Sequence, residues 1–184
     1  MSDTEWVAIT AGPAAGKSTT INALSYAGYR TTPEVARLWM DELISVGEDV
    51  SEYVGTEPFQ RMLIDEQLAL EQRLDETERY YLDRTLLDTV VYTEFFGYDV
   101  PEIYYDFLED RYDAAYVLEQ LPFNSDYARH EDEQQAREIH CALEKAYKSV
   151  LTDVEFVPVT AVSERVEQIT GDPFELETTI TALY

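Results

Sequence analysis

The fold of this chain is decided near its N-terminus by the stretch Ala11-Gly12-Pro13-Ala14-Ala15-Gly16-Lys17-Ser18-Thr19. A short apolar run at residues 6–9 precedes it, and residues 17–24 after it have the pattern of the first turns of a helix. A strand, a glycine-containing loop and a helix in this order form the context in which a P-loop binds phosphate. The stretch therefore predicts a nucleotide-binding loop.

The residue types in this loop match the chemistry of phosphate binding. Gly16 lets the backbone close around a phosphate, and the N–H groups of the loop face it at the positive end of the helix dipole. We expect Lys17 to contact the β- and γ-phosphates, Ser18 to ligate Mg²⁺ and Thr19 to donate to a phosphate. The motif has Gly where this chain has Ala11, which the loop tolerates if Ala11 has ordinary φ and ψ. The alternative is a turn that matches the motif by chance. The predicted nucleotide-binding residues are Gly12, Pro13, Ala14, Ala15, Gly16, Lys17, Ser18 and Thr19.

The composition indicates one acidic globular domain over residues 1–184, with 45% hydrophobic residues available for a core. Its 13 Lys and Arg against 38 Asp and Glu give a net charge of −25, spread along the whole chain. Such a surface repels itself in dilute buffer, but at about 1 M salt the Debye length is roughly 3 Å. We therefore expect a halophilic protein; the alternative is an ordinary acidic protein or one with a basic partner. A nucleic-acid partner is not expected, because a basic footprint is missing.

The sequence lacks the features typical of exported and membrane-spanning proteins. Cys141 is the only cysteine, which leaves no disulfide framework and no multi-cysteine zinc site. The N-terminus has no basic region before an apolar stretch, and no apolar run reaches about 18 residues. We expect a cytoplasmic protein without a membrane segment, and the oligomeric state stays open. His130 and His140 lack ligand spacing and are expected to be structural.

Strand-like and helix-like segments alternate along the chain. The strand candidates are residues 6–9, 29–32, 80–83, 114–118 and 154–159. The helix candidates are residues 17–24, 34–40, 59–77, 86–92, 101–108, 132–151 and 164–170. Alternation of this kind predicts an α/β fold with a doubly wound parallel sheet and helices on both faces. Pro158 places the last strand at a sheet edge or ends it there.

Acidic residues follow two of these strands, on the sheet edge where the P-loop lies. Asp83 ends an apolar strand and is predicted to face the Mg²⁺, while the adjacent Arg84 can reach a phosphate or a substrate hydroxyl. The alternative for Asp83 is a helix N-cap. Glu34 can act as a general base or bind a sugar, and the alternative is a helix acid paired with Arg37. Asp88 is expected to be an i,i+4 partner of Arg84 rather than a ligand.

Arg129 and Arg137 flank an irregular segment where kinases of this architecture carry a closing lid, here at about residues 119–135. An arginine at this place can neutralise charge that develops on a transferred phosphoryl group. The alternative is that these arginines form ion pairs with the neighbouring acids at 131–133 and 138.

Four pieces of sequence, taken in order, resemble a known family. The pieces are the loop at residues 10–19, Gly28-Tyr29-Arg30 with Pro33-Glu34-Val35-Ala36-Arg37, Asp83-Arg84-Thr85-Leu86-Leu87-Asp88, and Glu138-Ile139-His140. They resemble the AAA-type ATP-binding domain family that includes the ribosylnicotinamide kinase module of NadR. The resemblance implies a P-loop nucleoside or nucleotide kinase-like three-layer sandwich with a five-stranded parallel sheet and a lid. The adenylyltransferase domain of NadR has no counterpart in this sequence.

These observations together predict an ATP-dependent kinase that acts on a small molecule, a nucleoside or nucleotide-like compound. Ser18 and Asp83 would hold Mg²⁺, and Glu34 or Asp83 would activate the acceptor hydroxyl. The residues predicted to act on the transferring phosphoryl group are Lys17, Arg84, Arg129 and Arg137. The alternative is a switch that binds or hydrolyses NTP and signals through a protein partner. A switch needs no acceptor pocket.

Overall fold

The structure is a computed structural model that describes residues 3–121 and 132–175. The strands in this part are β1 Trp6–Thr10, β2 Tyr80–Asp83, β3 Ala114–Leu118 and β4 Val154–Val157. The helices are α1 Lys17–Tyr26, α2 Val35–Ser45, α3 Glu57–Glu71, α4 Leu86–Phe95, α5 Glu102–Asp106, α6 Glu133–Val150 and α7 Val162–Thr170, with a short 3₁₀-helix at Val50–Glu52. All strand pairs are parallel, in the order β2-β1-β3-β4. The predicted α/β fold is confirmed.

The sheet is covered on both faces, because the side chains of β1 point alternately to two separate cores. Trp6 and Ala8 pack in a core that contains residues of α3, α4 and α6. Val7 and Ile9 pack on the other face, with residues of α1 and α7. Every residue of β1 is buried, as expected for the central strand of a parallel sheet. The fold is therefore the expected three-layer sandwich.

The register of the sheet sets the position of the site. Ile9 of β1 pairs with Asp83 of β2, so the two strands end at the same level. The loop that follows β1 and the side chains that follow β2 consequently meet at the carboxyl edge of the sheet, where open α/β sheets bind ligands.

The predicted strand at residues 29–32 is present only as a single bridge between Thr31 and Tyr81. The Tyr81 N–H donates to the Arg30 carbonyl at 2.8 Å, and the Thr32 N–H donates to the Tyr81 carbonyl at 3.1 Å. Pro33 has no N–H and cannot extend this pairing. The described sheet has four strands, where the resemblance implied five.

The helix ends differ from the predicted ends for local reasons. α3 ends at Glu71 rather than at residue 77, and Asp75 forms a turn by accepting from the Thr77 N–H at 2.9 Å. α6 is preceded by Asp132, whose side chain and that of Gln135 form a capping box. In the described part of the chain, none of the helices combines the length and the apolar character required to cross a membrane.

Candidate functional site

The loop between β1 and α1 has the backbone conformation of an anion cradle. Ala14 and Gly16 have left-handed φ angles of 67° and 73°. Gly16 is the N-cap of α1, no side chain caps this helix, and its first turn contains no acidic residue. The first N–H groups of the helix have no intrahelical acceptor and remain available to an anion. Ala11 is fully buried and is not among the residues with positive φ, so the departure from the motif introduces no backbone strain.

Three successive carbonyl groups of this loop are held by donors that lie outside it. Pro13 accepts from Gln120 Nε2 at 3.2 Å, Ala14 from the Leu121 N–H at 3.0 Å, and Ala15 from Arg165 Nη1 at 2.9 Å. In a trans peptide the C=O and the following N–H point in opposite directions. The N–H groups of residues 14–16 therefore point away from these donors. The same residues line a cavity.

A buried cluster of charges lies beside the loop. Lys17 is 6% exposed, forms an ion pair with Asp83, and places its Nζ 3.5 Å from Glu34 Oε2. Arg84 Nε donates to Glu34 Oε1 at 2.7 Å. The carboxylate of Glu34 thus bridges the two cations, and the four side chains predicted from separate parts of the sequence lie together.

The two carboxyl groups of this cluster have pKa values shifted in opposite directions. Burial opposes ionisation of Glu34, but the charges of Lys17 and Arg84 outweigh it and lower the pKa of Glu34 from 4.5 to about 2. Burial, together with the nearby charge of Glu34, raises the pKa of Asp83 despite its contact with Lys17. Glu34 is therefore the more firmly ionised of the two groups.

The structure also bears on the helix-capping roles that were alternatives for these acids. The N-cap of α4 is Thr85, with Asp88 at the third helical position of a capping box, so the interpretation of Asp83 as a cap is wrong. Glu34 occupies the N-cap position of α2 but makes no capping hydrogen bond with its side chain. Its carboxylate interacts with Lys17 and with the Arg84 guanidinium, and the charge of Arg37, its alternative partner, also lowers its pKa.

Asp88 is fully buried and joins three elements of the fold. It accepts hydrogen bonds from Thr10 Oγ1 at 2.5 Å, from the Thr85 N–H at 2.9 Å and from the Tyr147 hydroxyl at 2.5 Å. Its Oδ1 lies 4.0 Å from Arg84 Nη1, so the expected i,i+4 contact is present but is the longest of these. Asp88 therefore fixes the end of β1 against α4 and α6, beside Arg84.

One cavity of about 350 Å³ connects the loop to an apolar pocket. Residues 12–19 line the first part, and Glu34 and Arg84 also line it. The Arg84 guanidinium lies 4.7 Å from the centroid of the Tyr92 ring, within cation–π distance. Gln60, a buried polar residue, also lines the cavity. The apolar lining outside the loop consists of Ala36, Met40, Val54, Phe59, Leu63, Tyr92 and Phe96. The sequence pattern does not indicate this pocket, because aromatic residues at helical spacing are typical of a core.

The remaining predicted residues have different positions. Ser18 and Thr19 are exposed at the start of α1 and line the cavity. Arg137 is exposed on α6, where it pairs with Glu133, and it does not belong to the cavity lining. The structure thus places Arg137 in the ion pair that was its alternative role. Arg129 and most of the predicted lid lie outside the described residues.

Comparison with known proteins gives one family and a set of similar folds. A family model described as AAA domain matches residues 6–165. No curated protein matches the chain. Deoxyadenosine kinase from M. mycoides with products dCMP and a flexible dCDP bound has a TM-score of 0.59 and 19% identity, over 90% of this chain and 96% of that chain. The same enzyme with bound dATP has a TM-score of 0.58 and 21% identity, over 91% and 97%.

The NadR protein in complex with NR has a TM-score of 0.60 and 18% identity to this chain. The match covers 94% of this chain but 53% of the NadR chain, so this chain corresponds to about half of that protein. At these identities the matches establish a shared fold.

Proposed function

We propose that this chain, which belongs to the AAA domain family, is an ATP-dependent kinase. It would phosphorylate a hydroxyl group of a nucleoside or nucleotide-like acceptor. The observation that carries this proposal is the continuity of one cavity from the P-loop to the aromatic pocket. Lys17, Glu34 and Arg84, which contact one another, all line this cavity. A protein that only binds and hydrolyses NTP has no use for the second half.

The first half of the cavity suits the phosphates of ATP. The N–H groups of residues 14–16 and of the start of α1 would bind phosphate oxygens. Lys17 would exchange its carboxylate partners for the β- and γ-phosphates, which releases the carboxylate of Asp83.

Ser18 and Asp83 fit a site for Mg²⁺. In nucleotide sites, Mg²⁺ binds one or two protein side chains and completes its shell with phosphate oxygens and water. A hydroxyl and a carboxylate at the carboxyl edge of the sheet are a donor set of this kind. Within residues 3–121 and 132–175, no cluster of three or more His, Cys, Asp or Glu could hold a metal on its own. When bound, Mg²⁺ would neutralise charge on the phosphate oxygens.

The second half of the cavity suits the planar base of a nucleoside. Phe59, Tyr92 and Phe96 provide aromatic surface, which favours stacking with a flat ring. The Gln60 amide has both donors and an acceptor, as the edge of a base requires. The volume of about 350 Å³ is that of the whole cavity, including the part along the P-loop.

Glu34 is our choice for the group that accepts the proton of the acceptor hydroxyl. A pKa of about 2 makes it a weak base while Lys17 and Arg84 both contact it. Transfer of Lys17 to the phosphates removes one of these cations, so the pKa of Glu34 should rise when ATP binds. Arg84 stays beside the reacting groups, where its charge can stabilise the transferring phosphoryl group.

The test is product analysis with Mg²⁺-ATP and a panel of nucleosides and sugars, in about 2 M KCl to screen the acidic surface. Glu34→Gln keeps the size of the side chain but removes the base, so phosphoryl transfer should fall by roughly 10²–10⁴. Its thermal stabilisation by Mg²⁺-ATP, measured from the melting temperature of the variant itself, should stay near the wild-type value. Glu57→Gln is the matched control, because Glu57 also pairs with an arginine but is 49% exposed.

Other outcomes would change the assignment. Normal transfer by the Glu34→Gln variant would give the role of base to Asp83. Failure of the wild type to phosphorylate any compound of the panel, together with intact NTP hydrolysis, would favour the nucleotide-dependent switch.

A further inference from the structure

His140 on α6 contacts the first part of the P-loop, although the two segments are far apart in sequence. Its Nδ1 accepts a hydrogen bond from the Gly12 N–H at 3.2 Å. A Cβ atom on Gly12 would lie 2.8 Å from the Ala136 carbonyl oxygen and 2.8 Å from the Cβ of His140. Gly12 is therefore required by the close approach of the loop to α6, and not by a left-handed φ.

This contact depends on the protonation state of the imidazole. Nδ1 can accept a hydrogen bond only when the ring is neutral and carries its proton on Nε2. In the imidazolium form Nδ1 becomes a donor, and it would then face the N–H donor of Gly12. The hydrogen bond is lost, and the first peptide of the loop loses its link to α6. The carbonyl groups of residues 13–15 are held by other residues and do not replace this link.

We propose that His140 is a positioning residue of the P-loop and that it couples nucleotide binding to protons: Mg²⁺-ATP binds the form with neutral His140, and protonation of His140 weakens binding. The proposal rests on the proposed binding of ATP by this loop. His140 does not line the cavity, so it would act through the backbone of Gly12 rather than by touching the nucleotide.

The surroundings of His140 define the pH range of this effect. Burial lowers the pKa of His140 from 6.5, while the negative charges of Glu144 on the same helix and of Glu119 after β3 partly offset this by raising it. Glu144 is itself bonded to Lys148 at 2.5 Å. Residues 11–16 of the loop carry no titratable side chain. The neutral form therefore predominates in the folded chain at pH 7, and binding should weaken only as the pH falls below 6.5.

The first measurement is the titration of the imidazole nitrogens by NMR, with ¹⁵N-labelled histidine in about 2 M KCl. The sequence contains two histidines, so the spectrum is simple, and His130→Asn assigns the signals. We expect the Nε2–H tautomer for His140 at pH 7.5. Saturation with Mg²⁺-ATP should shift its titration to lower pH. The titration is measured on the wild-type chain, and the variant serves only to assign the signals.

The second measurement compares the affinity for Mg²⁺-ATP at pH 7.5 and pH 5.5 in three proteins. Loss of one neutral hydrogen bond corresponds to about a 2- to 10-fold change in affinity, which is the decrease expected for the wild type on acidification. His140→Asn places an oxygen acceptor at the position of Nδ1 without a titratable ring, so its affinity should fall less on acidification than that of the wild type, by up to this 2- to 10-fold factor. His140→Leu has no acceptor and should bind 2- to 10-fold more weakly at both pH values, by about the same hydrogen-bond energy. Titration of ATP itself cancels in the comparison.

Two results would overturn the proposal: an acid-induced decrease in the wild type no larger than that in His140→Asn, or a His140 titration that Mg²⁺-ATP leaves unchanged. In either case the proposed function still stands if the wild type binds Mg²⁺-ATP at pH 7.5. If the wild type does not bind Mg²⁺-ATP even at pH 7.5, the proposed function fails as well. The two failures are thus distinguishable.

Discussion

Glu71, the last residue of α3, allows a quantitative test of the buried polar network behind the site. Its carboxylate is fully buried and accepts hydrogen bonds from four groups. The donors are Arg111 Nε at 2.6 Å, the Leu86 N–H at 2.7 Å, Gln67 Nε2 at 3.0 Å and the Tyr112 hydroxyl at 3.0 Å. We predict that Glu71→Gln strongly destabilises the fold.

The magnitude follows from the burial of the ion pair. Removal of the carboxylate leaves the Arg111 side chain, which is 12% exposed, without its counter-ion. Breaking a buried pair in this way costs about 3–5 kcal/mol. A chain of this size loses about 2–4 °C in Tm per kcal/mol, so Tm should fall by roughly 6–20 °C. Glu57→Gln is the control on the same helix: its pair with Arg61 is 2.8 Å long but exposed, and such pairs contribute about 0–1 kcal/mol.

The Glu71→Gln substitution should also affect the candidate site, through hydrogen bonds to the backbone of the turn before α4. Glu71 holds the N–H of Leu86, and Gln67 donates to the Arg84 carbonyl at 3.4 Å. The turn between β2 and α4, in which Arg84 has a left-handed φ of 67°, is thus held from α3. We expect kcat to fall in Glu71→Gln, with a smaller change in the affinity for ATP, because Arg84 rather than the P-loop is released.

Urea unfolding of the wild type and both variants in about 2 M KCl measures the free-energy differences, since salt screens exposed pairs much more than buried ones. A loss in Glu71→Gln that is no larger than the loss in Glu57→Gln would refute the reasoning. Arg111→Met and the double variant complete a cycle, in which the two changes should be non-additive by at least about 0.5 kcal/mol.

Four further predictions concern the charges of the chain. Circular dichroism from about 0.1 to 3 M KCl should show a steep rise of Tm as screening of the −25 charge increases; a flat Tm would contradict the halophilic interpretation. Mg²⁺-ATP at about 100-fold over Kd should stabilise the wild type by roughly 2.7 kcal/mol, or about 5–11 °C, and Lys17→Ala should lose most of this shift; an equal shift in the variant would place the nucleotide elsewhere. The lowered pKa of Glu34 contributes up to about 3 kcal/mol of stability above pH 4.5, and this contribution is lost as the pH falls towards 2. The stability difference between the wild type and Glu34→Gln should therefore shrink over this range; a difference independent of pH would contradict the lowered pKa. If Arg137 reaches the transferring phosphoryl group, Arg137→Gln should lower kcat by about 10³, as for loss of an arginine finger. A kcat of the variant equal to that of the wild type would mean that Arg137 acts only as the partner of Glu133.

The parts of the site that could be predicted from sequence are those with a local signal. The P-loop lies between an apolar strand and a helix start, and Asp83 ends a strand, so the position of each follows from its neighbours in sequence. The parallel sheet then brings the P-loop and Asp83 to one edge, where Glu34 also lies. The family and the three-layer fold could be predicted for the same reason.

The parts that could not be predicted depend on packing between distant segments. Phe59 and Tyr92 line the cavity because α3 and α4 pack with these sides towards it, and a helical pattern does not distinguish a core face from a pocket face. The contact of His140 with Gly12 joins residues 128 positions apart. The run at residues 29–32 has the composition of a strand, but Pro33 and a single bridge leave it outside the sheet.

The charge of the chain and the chemistry of the site are linked through salt. A surface with a net charge of −25 repels ATP as well as itself, and this repulsion acts over the Debye length of roughly 10 Å at 0.1 M salt. At about 1 M salt the range falls to roughly 3 Å, while contacts with the buried Lys17 and with the N–H groups of the loop are short and little screened. Salt thus removes the repulsion without removing the attraction. The screening that we expect to stabilise the fold should also strengthen nucleotide binding. The affinity for ATP should therefore rise between these salt concentrations, opposite to the usual behaviour of sites with basic surfaces.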